Sequence, residues 1–140
     1  MSGIKNNPKG DMRILKLSNN KLSITAAIRL AHILKKRHLS LPPVNLQVLK
    51  MSHNTIGNIG CETLMGFVKK NETLKYLDLS FNEIGDRGLL AVAECLKDNQ
   101  KLEVLNLLGN EFTDKSIKYL SESLAASKKS KLAILKIGNL

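Results

Sequence analysis

The feature of this 140-residue chain that most restricts its fold is a repeated pattern of leucines and asparagines. An apolar residue, usually Leu, is followed by others three and five positions later and by Asn eight positions later, as in residues 74–82, LKYLDLSFN. Self-similarity at such a period predicts a solenoid in which each repeat is one supersecondary unit. The copies, numbered here as repeats 1 to 5, start 34, 28, 28 and 30 residues apart, at Met12, Leu46, Leu74, Leu102 and Leu132.

Each repeat is predicted to hold one strand, one turn and one helix. The alternation before the Asn is typical of a short strand with one buried face. Apolar residues ten and fourteen positions after the Asn are four apart, which indicates one face of a helix. A small residue six positions after the Asn is expected to let the first helical turn approach its strand. Asn58, Asp86 and Asp114 stand where N-caps are expected.

The pattern resembles the leucine-rich repeat family, and specifically its ribonuclease-inhibitor-like subfamily. Residues 74–96 match the consensus LxxLxLxxN, the following I-G-D-x-G turn and L-x-x-x-L closely. The resemblance implies an α/β leucine-rich-repeat solenoid, a horseshoe arc of four strand–helix repeats plus a partial fifth. A parallel sheet would line the concave side and helices the convex side. We expect residues 12–140 to form this domain and residues 1–11 to be a flexible N-terminal segment.

The repeated asparagines are predicted to be structural, because each can bind backbone groups where its strand turns. They form the expected ladder Asn20, Asn54, Asn82 and Asn110. No other pattern indicates catalysis. Cys61 and Cys95 occupy different repeat positions and are read as buried thiols, and the three histidines lack metal-site spacing. We therefore expect no enzyme activity, no metal and no cofactor.

The hydropathy of the chain indicates where in the cell the protein is expected. No stretch of about 18 apolar residues is present, so no membrane span is predicted. Residues 1–11 contain no apolar core of a secretory signal. We expect a soluble protein of the cytoplasm.

Function is expected on the concave side, where the residues between the buried leucines should point. Tyr76 and Phe81 favour a protein-binding surface, because exposed aromatic patches often bind partners. Asp78 could orient a cationic group of the partner beside them. Aliphatic residues of the same rows could instead pack only against their neighbours along the sheet. The candidate partner-binding set is Tyr76, Phe81, Asp78, Leu108, Val48, Lys50 and Val104.

Positive charge is a second feature, with a formal net charge of +10 at pH 7. Residues 1–61 hold ten of the 22 basic residues and one acid, so the excess lies in the N-terminal half. Cations after successive helices would align as a basic rim, or would simply complement helix dipoles. No specific nucleic-acid partner is expected, because aromatic and basic residues are not interleaved. The basic rim comprises Lys35, Lys36, Arg37, Lys69 and Lys70.

Two further features leave alternatives open. The segment from Leu34 to Leu46 is longer than its counterparts and is either an extended helix exit or a contact loop. Repeat 5 stops after its strand, so we expect that another protein covers its open edge, that the chain self-associates, or that the natural protein is longer. The resemblance implies a non-catalytic scaffold that binds a protein partner on the concave face. The alternatives are a secreted microbial effector that binds a host protein and, ranked lower, a small-GTPase regulator.

Overall fold

The computed structural model describes residues 12–35 and 45–139. The predicted flexible segment 1–11, together with Lys36, Arg37 and most of the segment from Leu34 to Leu46, lies outside these residues. Strands and helices alternate along the chain. They are β1 (Ile14–Lys16), α1 (Ile24–Lys35), β2 (Val48–Lys50), α2 (Gly57–Val68), β3 (Tyr76–Asp78), α3 (Asp86–Asp98), β4 (Val104–Asn110), α4 (Asp114–Ala126) and β5 (Ile134–Asn139).

The five strands form one parallel sheet in the order β1-β2-β3-β4-β5. Its register joins residues at the same repeat position, so Leu49 pairs with Leu77 and Leu77 with Leu105. The predicted α/β leucine-rich-repeat solenoid is confirmed. Within the described residues, no helix is long and apolar enough to cross a membrane.

The core lies between the sheet and the helices. Leu49, Leu77 and Leu105 are fully buried there, together with Leu64 and Val92 from the helices. The leucines of repeats 1 and 5 are only half-buried against this core. The gradient follows from the architecture, because a strand–helix unit covers its apolar face only by stacking on neighbours at both sides.

Asn54 shows how a ladder asparagine joins two repeats. Its Oδ1 accepts the backbone N–H groups of Asn20 and Leu22 at 3.0 and 2.9 Å. Its Nδ2 donates to the carbonyls of Leu17 and Met51 at 3.0 and 2.9 Å. The side chain thus replaces the hydrogen bonds that the backbone loses where the strands end.

Asn110 repeats this arrangement, but Asn82 does so only in part. Asn110 Oδ1 accepts the N–H groups of Asn82 and Ile84, both at 3.0 Å. Asn82 Nδ2 donates to the carbonyls of Met51 and Ser80 at 2.8 and 3.0 Å. Asn82 Oδ1 is buried and has no hydrogen-bond partner among the described residues.

The turn of repeat 2 explains this orphaned oxygen. The residue after the ladder Asn is left-handed in repeats 1 and 3, with φ of 53° at Lys21 and 58° at Glu83. Thr55 and Glu111, at this position in repeats 2 and 4, are not left-handed. Gly57 takes the left-handed conformation instead, with φ of 62°. The shifted turn directs the Gly57 N–H to the Asn82 backbone carbonyl, 3.0 Å away, instead of placing donors at its side chain.

The residues predicted as N-caps are not the N-cap residues of their own helices. The caps are Ile56, Gly85 and Thr113, and none of them caps its own helix through its side chain. Asn58 lies inside α2, while Asp86 and Asp114 are the first helical residues of α3 and α4. The sequence pattern located the helix starts to within two residues but could not show where the polar side chains reach.

Two of these side chains cap the helix of the following repeat. Asn58 Oδ1 accepts the N–H groups of Gly85 and Gly88 at the start of α3, at 2.8 and 2.9 Å. Asp86 accepts the N–H and hydroxyl of Thr113 at 2.8 and 2.7 Å, and also the hydroxyl of Ser116. Stacking brings each helix start beside the next one, so the nearest orphaned N–H groups belong to the neighbour.

Candidate functional site on the concave strand face

The exposed side of the sheet, opposite the helices, is called here the concave strand face. Burial alternates along β3, where Tyr76 and Asp78 are half-buried and Leu77 between them is fully buried. The register places Val48 and Val104 on either side of Tyr76. Since both valines are half-buried, this row is a continuous apolar stripe that packs along the sheet while still presenting surface.

Tyr76 and Asp78 already have partners within the chain. Lys50 Nζ lies 5.4 Å from the centroid of the Tyr76 ring, a cation–π distance. Asp78 Oδ1 accepts the N–H and hydroxyl of Ser80 at 3.0 and 2.6 Å. The predicted role of Asp78 beside a partner's cation is therefore restricted to its second carboxylate oxygen, and Lys50 supplies the cation next to Tyr76.

The position that precedes each ladder Asn is left-handed in four successive repeats. The φ values are 59° at Asn19, 55° at His53, 54° at Phe81 and 69° at Gly109. Asn and Gly adopt this conformation readily, whereas a bulky aromatic residue rarely does. The backbone N–H of Phe81 donates to the carbonyl of Leu108 at 2.8 Å, and Asn19 and His53 make the equivalent bond to their next repeat. The turn geometry therefore sets the direction in which Phe81 projects.

Phe81 stands between repeats 2 and 4. Its ring stacks on His53, with centroids 4.4 Å apart and planes inclined by 7°. It also lies against Gly109, where an added Cβ would sit 2.3 Å from Phe81 Cδ1. Sequence reasoning missed both contacts, although the shared repeat position of the three residues was a usable signal. Phe81 remains 37% exposed and Leu108 remains 38% exposed.

Tyr76 and Phe81 occupy different parts of the face. Tyr76 lies within β3, while Phe81 follows three residues after the strand ends. Tyr76 contacts Lys50, and Phe81 contacts His53 and Gly109. The apolar surface of the concave strand face is thus divided into two areas. One surrounds Tyr76 in the sheet, and the other holds Phe81 and Leu108 at its carboxyl edge.

A shallow depression adjoins Phe81. It is lined by Asn54, Phe81, Glu83, Gly109 and Glu111. Glu83 and Glu111 each follow a ladder Asn, are exposed, and have no ion-pair partner within the described part of the chain. Sequence reasoning did not select these glutamates, although aligning the residue after each Asn would have paired them.

The described part of the basic rim is partly neutralised. Lys69 Nζ lies 3.3 Å from Asp98 Oδ2, and both side chains are about half exposed. Such surface pairs contribute about 0–1 kcal/mol. Lys35 and Lys70 are exposed at the ends of α1 and α2. This rim lies where the helices end, away from the carboxyl edge of the strands that carries Phe81.

The cysteines lie in the core. Cys61 and Cys95 are buried free thiols. Burial, with a smaller contribution from neighbouring negative charge, raises the pKa of Cys61 to about 12. Burial raises the pKa of Cys95 to about 12 as well. Both therefore stay protonated and weakly nucleophilic near neutral pH. Among the described residues, no group of His, Cys, Asp and Glu could hold a metal ion.

A parallel sheet backed by helices, with a ladder of asparagines at or after the ends of four of its five strands, defines a leucine-rich-repeat class of solenoid. The family model described as Leucine Rich repeat matches residues 44–65, 70–93 and 98–121, which together make up half of the chain. The chain belongs to the leucine-rich repeat family. No curated protein sequence matches it.

Solved structures share the fold. A structure of the leiomodin-1 actin-binding site 2 aligns with a TM-score of 0.75 and 18% identity, over 94% of this chain and 72% of that one. The tropomodulin C-terminal domain from Caenorhabditis elegans aligns with a TM-score of 0.57 and 16% identity, over 83% of this chain and 64% of that one. This chain thus spans less than two thirds of the tropomodulin domain. At these identities the likeness shows the fold alone.

Proposed function

We propose that the chain is a non-catalytic protein-binding module of the cytoplasm. Its repeat domain, residues 12–140, takes the partner on the concave strand face. The observation that carries the proposal is the exposure of two large apolar side chains, Phe81 and Leu108, at the carboxyl edge of adjoining strands. Contiguous exposed apolar surface rimmed by polar residues is typical of protein-binding sites.

The backbone at Phe81 supports this proposal. A left-handed bulky residue costs of order 1–3 kcal/mol unless its surroundings compensate. Asn19 meets the same conformational requirement with a polar side chain in repeat 1. Stacking on His53 compensates part of the cost but leaves more than a third of Phe81 exposed. A partner that covers Phe81 and Leu108 would use the remaining surface.

The fold likeness provides the first partner to test. The aligned leiomodin-1 structure is described as an actin-binding site. We therefore choose actin as the first candidate, followed by proteins captured from a native lysate and then purified. The binding surface is tested in the same way whichever partner is found.

The test compares two double variants. Tyr76→Ala/Phe81→Ala removes the aromatic side chains of the concave strand face. Ile59→Ala/Leu90→Ala removes helix side chains that are 46% and 43% exposed, and serves as the matched control. We expect the first variant to stay folded and to lose its partner, because hot-spot residues each contribute about 2 kcal/mol or more. The control should keep wild-type affinity.

Calorimetry on the purified partner gives the readout, with circular dichroism to confirm folding. Unchanged affinity in a folded Tyr76→Ala/Phe81→Ala variant would contradict the concave site. A loss confined to Ile59→Ala/Leu90→Ala would place the site on the exposed surface of α2 and α3.

A further inference from the structure

The strand-and-turn segments are basic in repeats 1 and 2 and acidic in repeats 3 and 4, and the strand of repeat 5 is basic again at Lys136. Residues 12–23 and 46–57, in repeats 1 and 2, contain no acid. Residues 74–85 and 102–113, in repeats 3 and 4, contain a single basic residue, Lys75. The basic set is Arg13, Lys16, Lys21 and Lys50, and the acidic set is Asp78, Glu83, Glu103 and Glu111.

Several of these charges have no ion-pair partner among the described residues. The side-chain ion pairs found among the described residues lie on helices or at helix ends, for example Arg87 with Glu62 and Lys97 with Glu94. Lys16, Lys21, Glu83 and Glu111 take part in none of them. Lys50 and Asp78 are register partners, yet Lys50 lies over Tyr76 and Asp78 is bound by Ser80. Lys16, Lys21, Glu83 and Glu111 are exposed to solvent.

We infer that the concave strand face binds an extended polypeptide segment of split charge, with acidic residues over repeats 1 and 2 and basic residues over repeats 3 and 4. The inference rests on the proposed function and names the chemistry of its partner. A uniformly acidic ligand is repelled by Glu83 and Glu111, and a uniformly basic one by Lys16 and Lys50. Electrostatic complementarity selects partners in this way by penalising the wrong ones.

The dimensions define the spacing of the two charge blocks. Neighbouring strands are about 4.8 Å apart, so repeats 1 and 4 are separated by about 15 Å. An extended segment rises about 3.3 Å per residue, so about four or five residues cross that distance. The centre of the segment crosses between repeats 2 and 3, beside the stacked rings of His53 and Phe81, and should be apolar.

The depression beside Phe81 provides a place for the basic block. Glu83 and Glu111 line it together with the Phe81 ring. A Lys or Arg side chain packs its aliphatic stem on apolar surface while its charged group stays among polar groups. At the other end, Lys16 and Lys50 are register partners on β1 and β2, so two cations stand side by side for the carboxylates.

Three labelled peptides of equal length test the inference on the full chain. One carries an acidic block, a short leucine-containing centre and a basic block; the second has the same composition with alternating charges; the third is uniformly acidic. Fluorescence anisotropy at about 0.01 M ionic strength, where the screening length is about 30 Å, should show the split peptide binding about tenfold more tightly than either other peptide. Equal binding of the split and alternating peptides would overturn the inference.

Charge reversal supplies the second arm. Glu83→Lys/Glu111→Lys leaves Asp78 and Glu103 as the only acids of these segments and makes the face predominantly basic, so it should lose its preference for the split peptide and come to prefer the acidic one. Glu72→Lys/Glu122→Lys makes the same change in net charge outside the concave strand face. This variant should bind the three peptides in the same order of affinity as wild type. If both variants prefer the acidic peptide, only net charge matters and the inference is wrong.

Once a protein partner is purified, the same variants distinguish a failure of this inference from a failure of the proposed function. If Tyr76→Ala/Phe81→Ala abolishes binding while Glu83→Lys/Glu111→Lys leaves it unchanged, the concave site stands and the split-charge partner is wrong. If both variants lose the partner while the Glu72→Lys/Glu122→Lys control retains it, both proposals are supported. If neither loses it, the concave site itself is wrong.

Discussion

Asn58 Oδ1 accepts the backbone N–H of Gly88 at 2.9 Å, although the two residues belong to successive helices. The same oxygen accepts the N–H of Gly85 at 2.8 Å. Gly88 also leaves no room for a larger residue, because an added Cβ would lie 2.4 Å from Ile84 Cγ2 and 3.0 Å from Asn58 Oδ1. The start of α3 is therefore completed by the repeat before it. Such caps couple the stability of neighbouring repeats in addition to their shared core.

Replacement of this cap should destabilise the fold. Asn58→Ala leaves two N–H groups of α3 without their acceptor, and loss of a capping side chain costs about 0.5–2 kcal/mol. Asn58→Asp keeps an acceptor oxygen and should lose less. Urea unfolding followed by circular dichroism gives both values. If Asn58→Ala is as stable as wild type, water satisfies the helix start and the side chain does not act as a cap.

The Asp86 cap should make stability depend on pH. Hydrogen bonds from the Ser116 hydroxyl and from Thr113 hold the pKa of Asp86 below its ordinary value of 3.8. Because the unfolded chain then binds this proton more readily, the stabilisation is complete well above pH 3.8 and is lost as the pH falls through the folded pKa. The difference in unfolding free energy between wild type and Asp86→Asn should therefore be largest near neutral pH and shrink in acid.

A second measurement identifies the cause of this shift. In Ser116→Ala the largest contribution disappears, so the pKa of Asp86 should rise toward its ordinary value. Carboxyl-carbon NMR titration of both forms tests this directly. An unchanged Asp86 titration in Ser116→Ala would show that this hydroxyl does not stabilise the carboxylate.

Two ladder asparagines should differ in their contribution to stability. Asn110→Ala removes the acceptor of two buried N–H groups, and each unsatisfied buried group costs about 1–3 kcal/mol. Asn82→Ala removes an oxygen that accepts no hydrogen bond. Both variants lose amide donors, so Asn110→Ala should be the less stable by at least about 1 kcal/mol. If both variants lose the same unfolding free energy in urea, a buried water donates a hydrogen bond to Asn82 Oδ1.

The core of repeat 3 provides a test of the repeat register. Leu77 is fully buried in the middle of the sheet. Leu77→Ala should lower the unfolding free energy by about 2–5 kcal/mol, because it opens a cavity. Leu90→Ala, at an exposed position of α3, should change it by less than about 0.5 kcal/mol. Similar melting temperatures for the two variants would contradict the assignment of Leu77 to the core.

Much of the fold could be predicted because the signals are local and repeated. The spacing of Leu74, Leu77 and Leu79 indicates a strand, and the copies of that spacing align residues that the sheet then pairs. The candidate site was predictable only as rows of residues. Two contacts of this site could not be predicted: Lys50 lies over Tyr76, and Ser80 binds Asp78. Both depend on the directions of side chains, which the spacing of residues does not encode.

Periodic leucines and a fixed repeat length leave one consistent way to stack the units, so the architecture, the register and the central core could be predicted before the fold was known. Which repeat each polar side chain serves could not. Asn58 and Asp86 cap the following helices, Phe81 stacks on His53, and the turn of repeat 2 leaves the Asn82 oxygen without a donor. The physical reason is that these contacts depend on the separation of adjacent repeats and on the backbone conformation of single turns, and both emerge only when the repeats pack.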